Sequence, residues 1–182
     1  FYSGNIGKLL NNDFAMNMYL GLAFQNFVLN GEMGFLCGVA NEDINFGDVI
    51  MKDGRTENMF FGFSVGYKLR LPYRFVATTS FGAGWVTLYP DAKSIKEDER
   101  LHDSKINSAH AQPVIGVELC RVSSNSLTIS PAGKLNQLVV SPTLRYTYMP
   151  AKFDSPQFKA IGTIHTLTIG LKYQFFRVKR DL

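Results

Sequence analysis

The sequence predicts an all-β protein, specifically an antiparallel up-and-down transmembrane β-barrel in which eight strands are expected and seven are readable. Three observations predict it. Apolar residues alternate with small or polar ones at a period of two through seven segments, which is how a strand distributes side chains between two faces. The apolar sets of those segments contain no Asp, Glu, Lys or Arg, although the chain holds 19 Lys plus Arg and 15 Asp plus Glu. No run approaches the roughly 18 uninterrupted apolar residues of a membrane helix, because stretches such as Met59 to Phe63 and Pro113 to Val117 are soon broken.

The first strand sets Phe14, Met16, Met18, Leu20, Leu22 and Phe24 against Ala15, Asn17, Tyr19, Gly21 and Ala23. After Gln25 and Asn26 the alternation resumes in shifted phase, which predicts a tight hairpin. The second strand then places Phe27, Leu29, Met33, Phe35 and Val39 outward and Asn30, Glu32, Gly34 and Gly38 inward. A polar stretch from Asn41 to Asn58 leads to a third strand, with Met59, Phe61, Phe63, Val65, Tyr67 and Leu69 outward and Gly62, Ser64, Gly66 and Lys68 inward. Pro72 marks a short turn. The fourth strand carries Phe75, Ala77, Thr79, Phe81, Ala83, Trp85 and Tyr89 opposite Thr78, Ser80, Gly82 and Gly84.

A charged loop from Pro90 to Asn107 follows, and the fifth strand sets Ala109, Ala111, Pro113, Ile115, Val117 and Leu119 against His110, Gln112, Gly116 and Glu118. Residues 123–137 read ambiguously. The sixth strand has Leu138, Val140, Pro142, Leu144, Tyr146 and Tyr148 outward, with Ser141, Thr143, Arg145 and Thr147 inward. The seventh has Leu167, Ile169, Leu171, Tyr173 and Phe175 outward, with Thr166, Thr168, Gly170, Lys172 and Gln174 inward.

The charge distribution decides which face meets which medium. A soluble sandwich would turn its apolar set inward and clothe the other face in Lys and Glu. Here the second face is mostly Gly, Ser and Thr with a few charges: Glu32, Lys68, Arg70, Arg74, Glu118, Arg145 and Lys172. A Lys or Arg facing lipid near the midplane costs about 2 to 4 kcal/mol, which accounts for a charge-free outer set. Phe61, Phe63, Phe81, Trp85, Leu167, Ile169 and Leu171 are therefore expected to face lipid. The charged residues are expected to form a network inside, with Glu32 and Glu118 pairing among Arg74, Arg145, Lys68 and Lys172. Eight strands enclose a space just wide enough to be filled by side chains, so a plugged interior is expected over an open pore.

Short connections at Gln25–Asn26 and Leu71–Pro72 alternate with long ones, and short turns lie on the periplasmic side in this architecture. That phase puts residues 1–12 outside and 177–182 in a periplasmic tail of a single domain spanning 1–182. Seven strands break the even-number rule for single-chain bacterial barrels. An eighth strand is therefore expected before residue 1, where it fits best, or within residues 1–10 or 123–137.

The last strand, Thr168-Ile-Gly-Leu-Lys-Tyr-Gln-Phe175, resembles the C-terminal β-signal of outer-membrane barrels. The resemblance implies that Gly170, Tyr173 and Phe175 are read by the barrel-assembly machinery during insertion. The seven residues after Phe175 depart from the many family members that end at the aromatic. In pattern the whole chain resembles the small eight-stranded barrels of the OmpA/OmpX type and the similar barrels of Bacteroidetes. That resemblance implies the bacterial outer membrane as location, outer-membrane lipid as surroundings, and architecture more than activity.

Other chemistries are poorly supported. Net charge is +4 with scattered basic residues, and the one basic run, Arg177 to Arg180, does not make a nucleic-acid surface. Cys37 and Cys120 fall on opposite faces and are expected as free thiols, with no second Cys at metal-ligand spacing. No cofactor and no metal is expected: Asn41, Glu42, Asp43 and Asp48 lack the frame of a calcium loop, and the glycines of Ser80 to Gly84 fit a crowded strand better than a phosphate cradle. His102, Asp103, Ser104, Ser108 and His110 lie close in sequence, yet His110 is expected inward and His165 outward, so no nucleophile and base converge. The expectation is a non-enzymatic structural or interaction subunit that binds another outer-membrane complex or a surface ligand through its outer loops or wall. A small pore or transporter is the alternative, and a lipid-modifying enzyme the second.

Overall fold

The period-two segments form seven long strands: β1 (Leu10–Phe24), β2 (Phe27–Ala40), β3 (Arg55–Arg70), β4 (Phe75–Pro90), β5 (Gln112–Arg121), β6 (Asn136–Asp154) and β7 (Lys159–Arg177). The computed structural model describes residues 2–47, 49–51, 54–122, 126–129, 136–154 and 158–177, with the side chains of residues 9, 12–14, 126–129, 136–138 and 175–177 outside the description. Each strand pairs antiparallel with the next in sequence, giving one curved meander from β1 to β7. The all-β antiparallel expectation is met.

The turn chemistry places the hairpins where the phase shifts. Gln25 takes a left-handed φ of 51° between β1 and β2, and Tyr73 and Arg74 do the same (57° and 64°) in the turn after Pro72. Adjacent turns are tied by backbone bonds, Lys68 N–H to Asn26 C=O at 2.7 Å and Val122 N–H to Arg74 C=O at 2.8 Å. This is the turn end of the sheet. At the opposite, loop end the charged connection after β4 contains two short helices, Ala92–Glu97 and Glu99–Leu101, and a short strand Ile106–Asn107 paired to β4.

The sheet is not closed into a barrel, which corrects the expectation of eight strands in a ring. Among the described residues β1 and β7 are the two ends of the order of long strands. The position between them is filled only at the loop end, where Tyr2–Ser3 pairs with Ile164 and Thr163 of β7. Gly4, at a φ of +68° that a side chain would strain, then turns the chain into the helix Gly4–Leu9 before β1 begins. Among the described residues the candidate segment 1–10 thus adds to the seam only the short strand Tyr2–Ser3 and a bridge from Gly4 to Gly162, not a strand of membrane-crossing length. Within the other candidate segment, Ser126–Ile129 pairs as a hairpin with residues 136–139 of β6 and lies away from the seam; residues 123–125 and 130–135 lie outside the described residues. Across the seam the side chains of Asn17 and Thr168 share a hydrogen bond of 3.0 Å.

Two further boundaries differ. β5 begins at Gln112, so His110 lies exposed before the strand and does not point inward from it. β6 and β7 run well past Tyr148 and before Thr166, which shortens the expected loop between them.

The concave face is crowded. A Cβ built on Gly82 would lie 1.9 Å from the Phe63 carbonyl oxygen and 2.6 Å from Ser64 Cα, so β3 and β4 meet there with no space for a side chain. Gly82→Val is expected to cost at least about 1 to 3 kcal/mol through overpacking against backbone. Gly170→Ala, where only Thr143 Oγ1 lies within contact at 3.6 Å, is expected to leave stability near wild type. Urea unfolding of both variants after refolding in vitro checks this, and equal midpoints for the two would contradict the packing account.

Candidate functional site

Because side chains alternate, each strand sends one row into the concavity, and the three zones of that interior follow from what each row contains. At the loop end it is apolar. Leu36, Phe60, Val86, Leu88, Val114, Met149, Phe153 and Ile164 point inward from the strands. Ile6 of the first helix, Ile44, Phe46 and Met51 of the connection after β2, Leu101 and Phe158 fold down onto them. The polar interior expected from sequence is thus corrected at this end, where a buried apolar cluster plugs the concavity.

The waist carries the ion pairs. Arg145 Nη2 donates to Glu32 Oε1 at 2.5 Å across the interior from β6 to β2, with Arg145 5% and Glu32 8% exposed. Ser64 Oγ donates to the same carboxylate oxygen at 2.6 Å, and Arg145 Nε reaches Thr147 Oγ1 at 3.4 Å. Lys172 of β7 pairs with Glu118 of β5. The ring of Tyr19 lies between the two cations, 5.1 Å from the Arg145 guanidinium carbon and 5.8 Å from Lys172 Nζ. In the β5–β6 ladder Arg145 stands directly opposite Glu118, yet its fork reaches across the concavity to Glu32. Two carboxylates therefore meet two cations, and the void beside them, lined by Tyr19, Glu32 and Arg145 with apolar neighbours, is only about 20 Å³, room for a single water.

At the turn end the interior opens into a cavity of about 540 Å³. Lys68, Arg70, Arg74 and Lys172 line it, with Gln25, Asn26 and Gln174, and its apolar wall includes Leu71, Phe75, Val76 and Val122. Among the described residues Lys68, Arg70 and Arg74 have no carboxylate within salt-bridge distance, whereas Lys172 is held by Glu118. Of the seven charged residues singled out in sequence, Glu32, Glu118, Arg145 and Lys172 form the waist pairs, and Lys68, Arg70 and Arg74 line the mouth together with Lys172.

On the convex face stand Phe61, Phe63, Phe81, Trp85 at 46% exposed, Leu167, Ile169 at 84% and Leu171, with Leu20 of β1 equally bare at 84%. The charges that the longer strands add outward, Arg55, Glu57, Arg121, Lys152, Asp154 and Lys159, sit near strand ends. Of the segment resembling a β-signal, Gly170 lies on the concave face and Tyr173 on the convex face. Phe175 lies in β7 opposite Leu138, its side chain outside the described residues.

The remaining candidates do not assemble. His102 and Asp103 form an exposed pair at 3.0 Å, Ser104 Oγ donates to the Arg100 carbonyl, and Ser108 Oγ donates to the His110 carbonyl. His165 faces the convex side, where Tyr146 Oη lies 2.7 Å from Nδ1 and Thr163 Oγ1 2.8 Å from Nε2. Among the described residues no group of three or more His, Cys, Asp or Glu could hold a metal; Asp48 lies outside them. Cys37 and Cys120 are free thiols. In the loop-end connection, Asp98 accepts from the Arg100 guanidinium (2.9 and 2.6 Å) and backbone N–H (3.1 Å), which holds its carboxyl below the ordinary range. A lowered value means this local stabilisation is present above the ordinary carboxylate range and is lost as pH falls through the lowered one.

The inner apolar rows were missed in sequence because both faces are apolar there and the alternation fades. The mouth was missed because it depends on which turns become neighbours. Comparison with known protein families, with characterised proteins and with solved structures finds no match to this chain.

Removing one partner of a buried pair strands the other charge, so Arg145→Met is expected to cost about 3 to 5 kcal/mol. Glu32→Met combined with Arg145→Met is expected to recover part of that loss, because no uncompensated ion remains. Denaturant unfolding followed by Trp85 fluorescence reads both; a single variant within about 0.5 kcal/mol of wild type would contradict the pairing.

Proposed function

We propose that this chain is an integral outer-membrane β-barrel with a sealed interior, serving as a structural or interaction subunit through its loop-end connections or its wall. The observation that carries the reading is the convex face, an apolar belt spread over all seven strands while the interior is already filled at its loop end by an apolar cluster and at its waist by ion pairs. Soluble monomers seldom expose contiguous apolar surface beyond a few hundred Å², and among the described residues this belt has no second layer packed on it. Lipid supplies the missing layer.

The reading requires both sheet edges to be paired, since an unsatisfied backbone group in hydrocarbon costs several kcal/mol. The register of Tyr2 and Ser3 supports a way to do this. Tyr2 and Ser3 stand opposite Ile164 and Thr163, so they mark a strand position beside β7 that, if filled past Leu167, Ile169 and Leu171 to the turn end, would lie in the seam with β1. An eighth strand there satisfies the edges of β1 and β7 together and gives the even strand number of this architecture.

The pore reading is weaker because the waist void of about 20 Å³ admits no hydrated ion. The enzymatic reading is weaker because Ser104 and Ser108 are engaged with backbone carbonyls, not with a histidine ring. Partners on this proposal are outer-membrane lipid, the barrel-assembly machinery during insertion through Gly170, Tyr173 and Phe175, and another outer-membrane complex.

Purified in mild detergent, the protein is expected to migrate differently in a gel before and after boiling, and to give no stable single-channel current in planar bilayers. Identical migration would count against a closed membrane barrel. Large stable currents would overturn the sealed interior while leaving the membrane reading in place.

A further inference from the structure

We propose that the cationic cavity at the turn end is a binding site for a ligand bearing a terminal phosphate group. At about 540 Å³ it has the size of a small-molecule pocket, and it faces the end of the sheet that the apolar plug does not close. Three cations with no carboxylate partner among the described residues line it, Lys68 from β3, Arg70 at the end of that strand, and Arg74 from the following turn. Lys172 adds a fourth, whose charge Glu118 already offsets.

The charge count selects the ligand class. A single carboxylate brings one negative charge, whereas a terminal phosphate brings about 1.5 to 2 at neutral pH and three acceptor oxygens. Arg70 and Arg74 offer planar forks that match phosphate oxygens in pairs, and Lys68 adds a point charge behind them. Arg74 is fixed in place by its turn: its backbone is left-handed at a φ of 64° and its carbonyl accepts from Val122 N–H at 2.8 Å. Gln25 and Gln174 provide neutral amides at the rim, and Val76, Cys120 and Val122 line an apolar wall. A bare phosphate would leave most of the cavity empty, so the ligand carries an uncharged body against that wall. Either a phosphomonoester lipid headgroup or a soluble phosphate ester has this chemistry. The inference does not rest on the membrane reading, because it uses only the cavity and the residues lining it.

Isothermal titration of the detergent-solubilised protein tests it, with pyrophosphate, dihexanoyl phosphatidic acid and dihexanoyl phosphatidylcholine below their micelle concentrations. Saturable binding of phosphatidic acid or pyrophosphate is expected, weakening with added salt and falling about tenfold or more in Arg70→Gln with Arg74→Gln. Both arginines are exposed, and Arg70→Lys with Arg74→Lys is expected to retain part of the affinity. Binding of phosphatidic acid alone assigns the phosphate to a lipid headgroup; binding of both it and pyrophosphate assigns it to soluble esters. Phosphatidylcholine binding as tightly as phosphatidic acid, absence of saturable binding by every probe, or binding unchanged by the glutamine substitutions would overturn the proposal. None of those outcomes touches the gel-migration test of the membrane reading.

Discussion

The narrowness of the concavity is the constraint on which the rest of the structure depends. A meander of seven strands curled this tightly offers its interior one row of side chains per strand, and the rows meet in the middle. Gly82 has no space for a Cβ beside the Phe63 carbonyl, Gly84 lies against the Phe60 ring, and Gly116 lies beside Ser80 and the Arg145 guanidinium. Charges admitted to such a space must be matched, and Glu32 with Arg145 and Glu118 with Lys172 are. The bulky apolar rows that the interior cannot hold are turned to the convex face, where Leu20, Phe81 and Ile169 stand uncovered.

Matched charges in a crowded waist also divide the interior by function. Above them, helix Gly4–Leu9 and the connection after β2 bring Ile6, Ile44 and Met51 onto Phe60, Val86 and Phe153, so apolar burial closes the loop end. Below them, the cavity is left with more cations than carboxylates because Glu118 is already committed to Lys172. Apolar burial closes one end, and the commitment of Glu118 to Lys172 leaves the charge at the other unbalanced.

Much of the fold was legible because period-two alternation depends on a contrast between faces, and that contrast holds through the middle of every strand. Phe61 to Leu69 outward with Gly62 to Lys68 inward needs no tertiary information, and Gln25–Asn26 announces a turn by the phase shift alone. Where the contrast vanishes the reading stopped. Val86, Leu88, Met149 and Ile164 continue the inward rows, but apolar neighbours on both faces erase the period, so β6 and β7 were read too short. His110 was drawn into β5 because Ala109 and Ala111 extend the pattern by composition, while the chain there bends before the strand. Which of the four candidate cations takes Glu32 was not readable, since Arg145 lies 113 residues away and reaches it only when the sheet curls. The eighth strand was expected from a rule about even numbers, and among the described residues Gly4 turning the chain into a helix leaves the seam between β1 and β7 unpaired over most of its length.

The central claim, that the convex face meets lipid, is tested most directly at Trp85, the single tryptophan, which stands on that face at 46% exposed beside Phe61 in the neighbouring strand. With the protein reconstituted in phospholipid vesicles, its fluorescence can be challenged by acyl-chain-brominated lipid from the membrane and by iodide from the water. The account predicts strong quenching by brominated lipid and protection from iodide. Quenching by iodide with no effect of brominated lipid would contradict it.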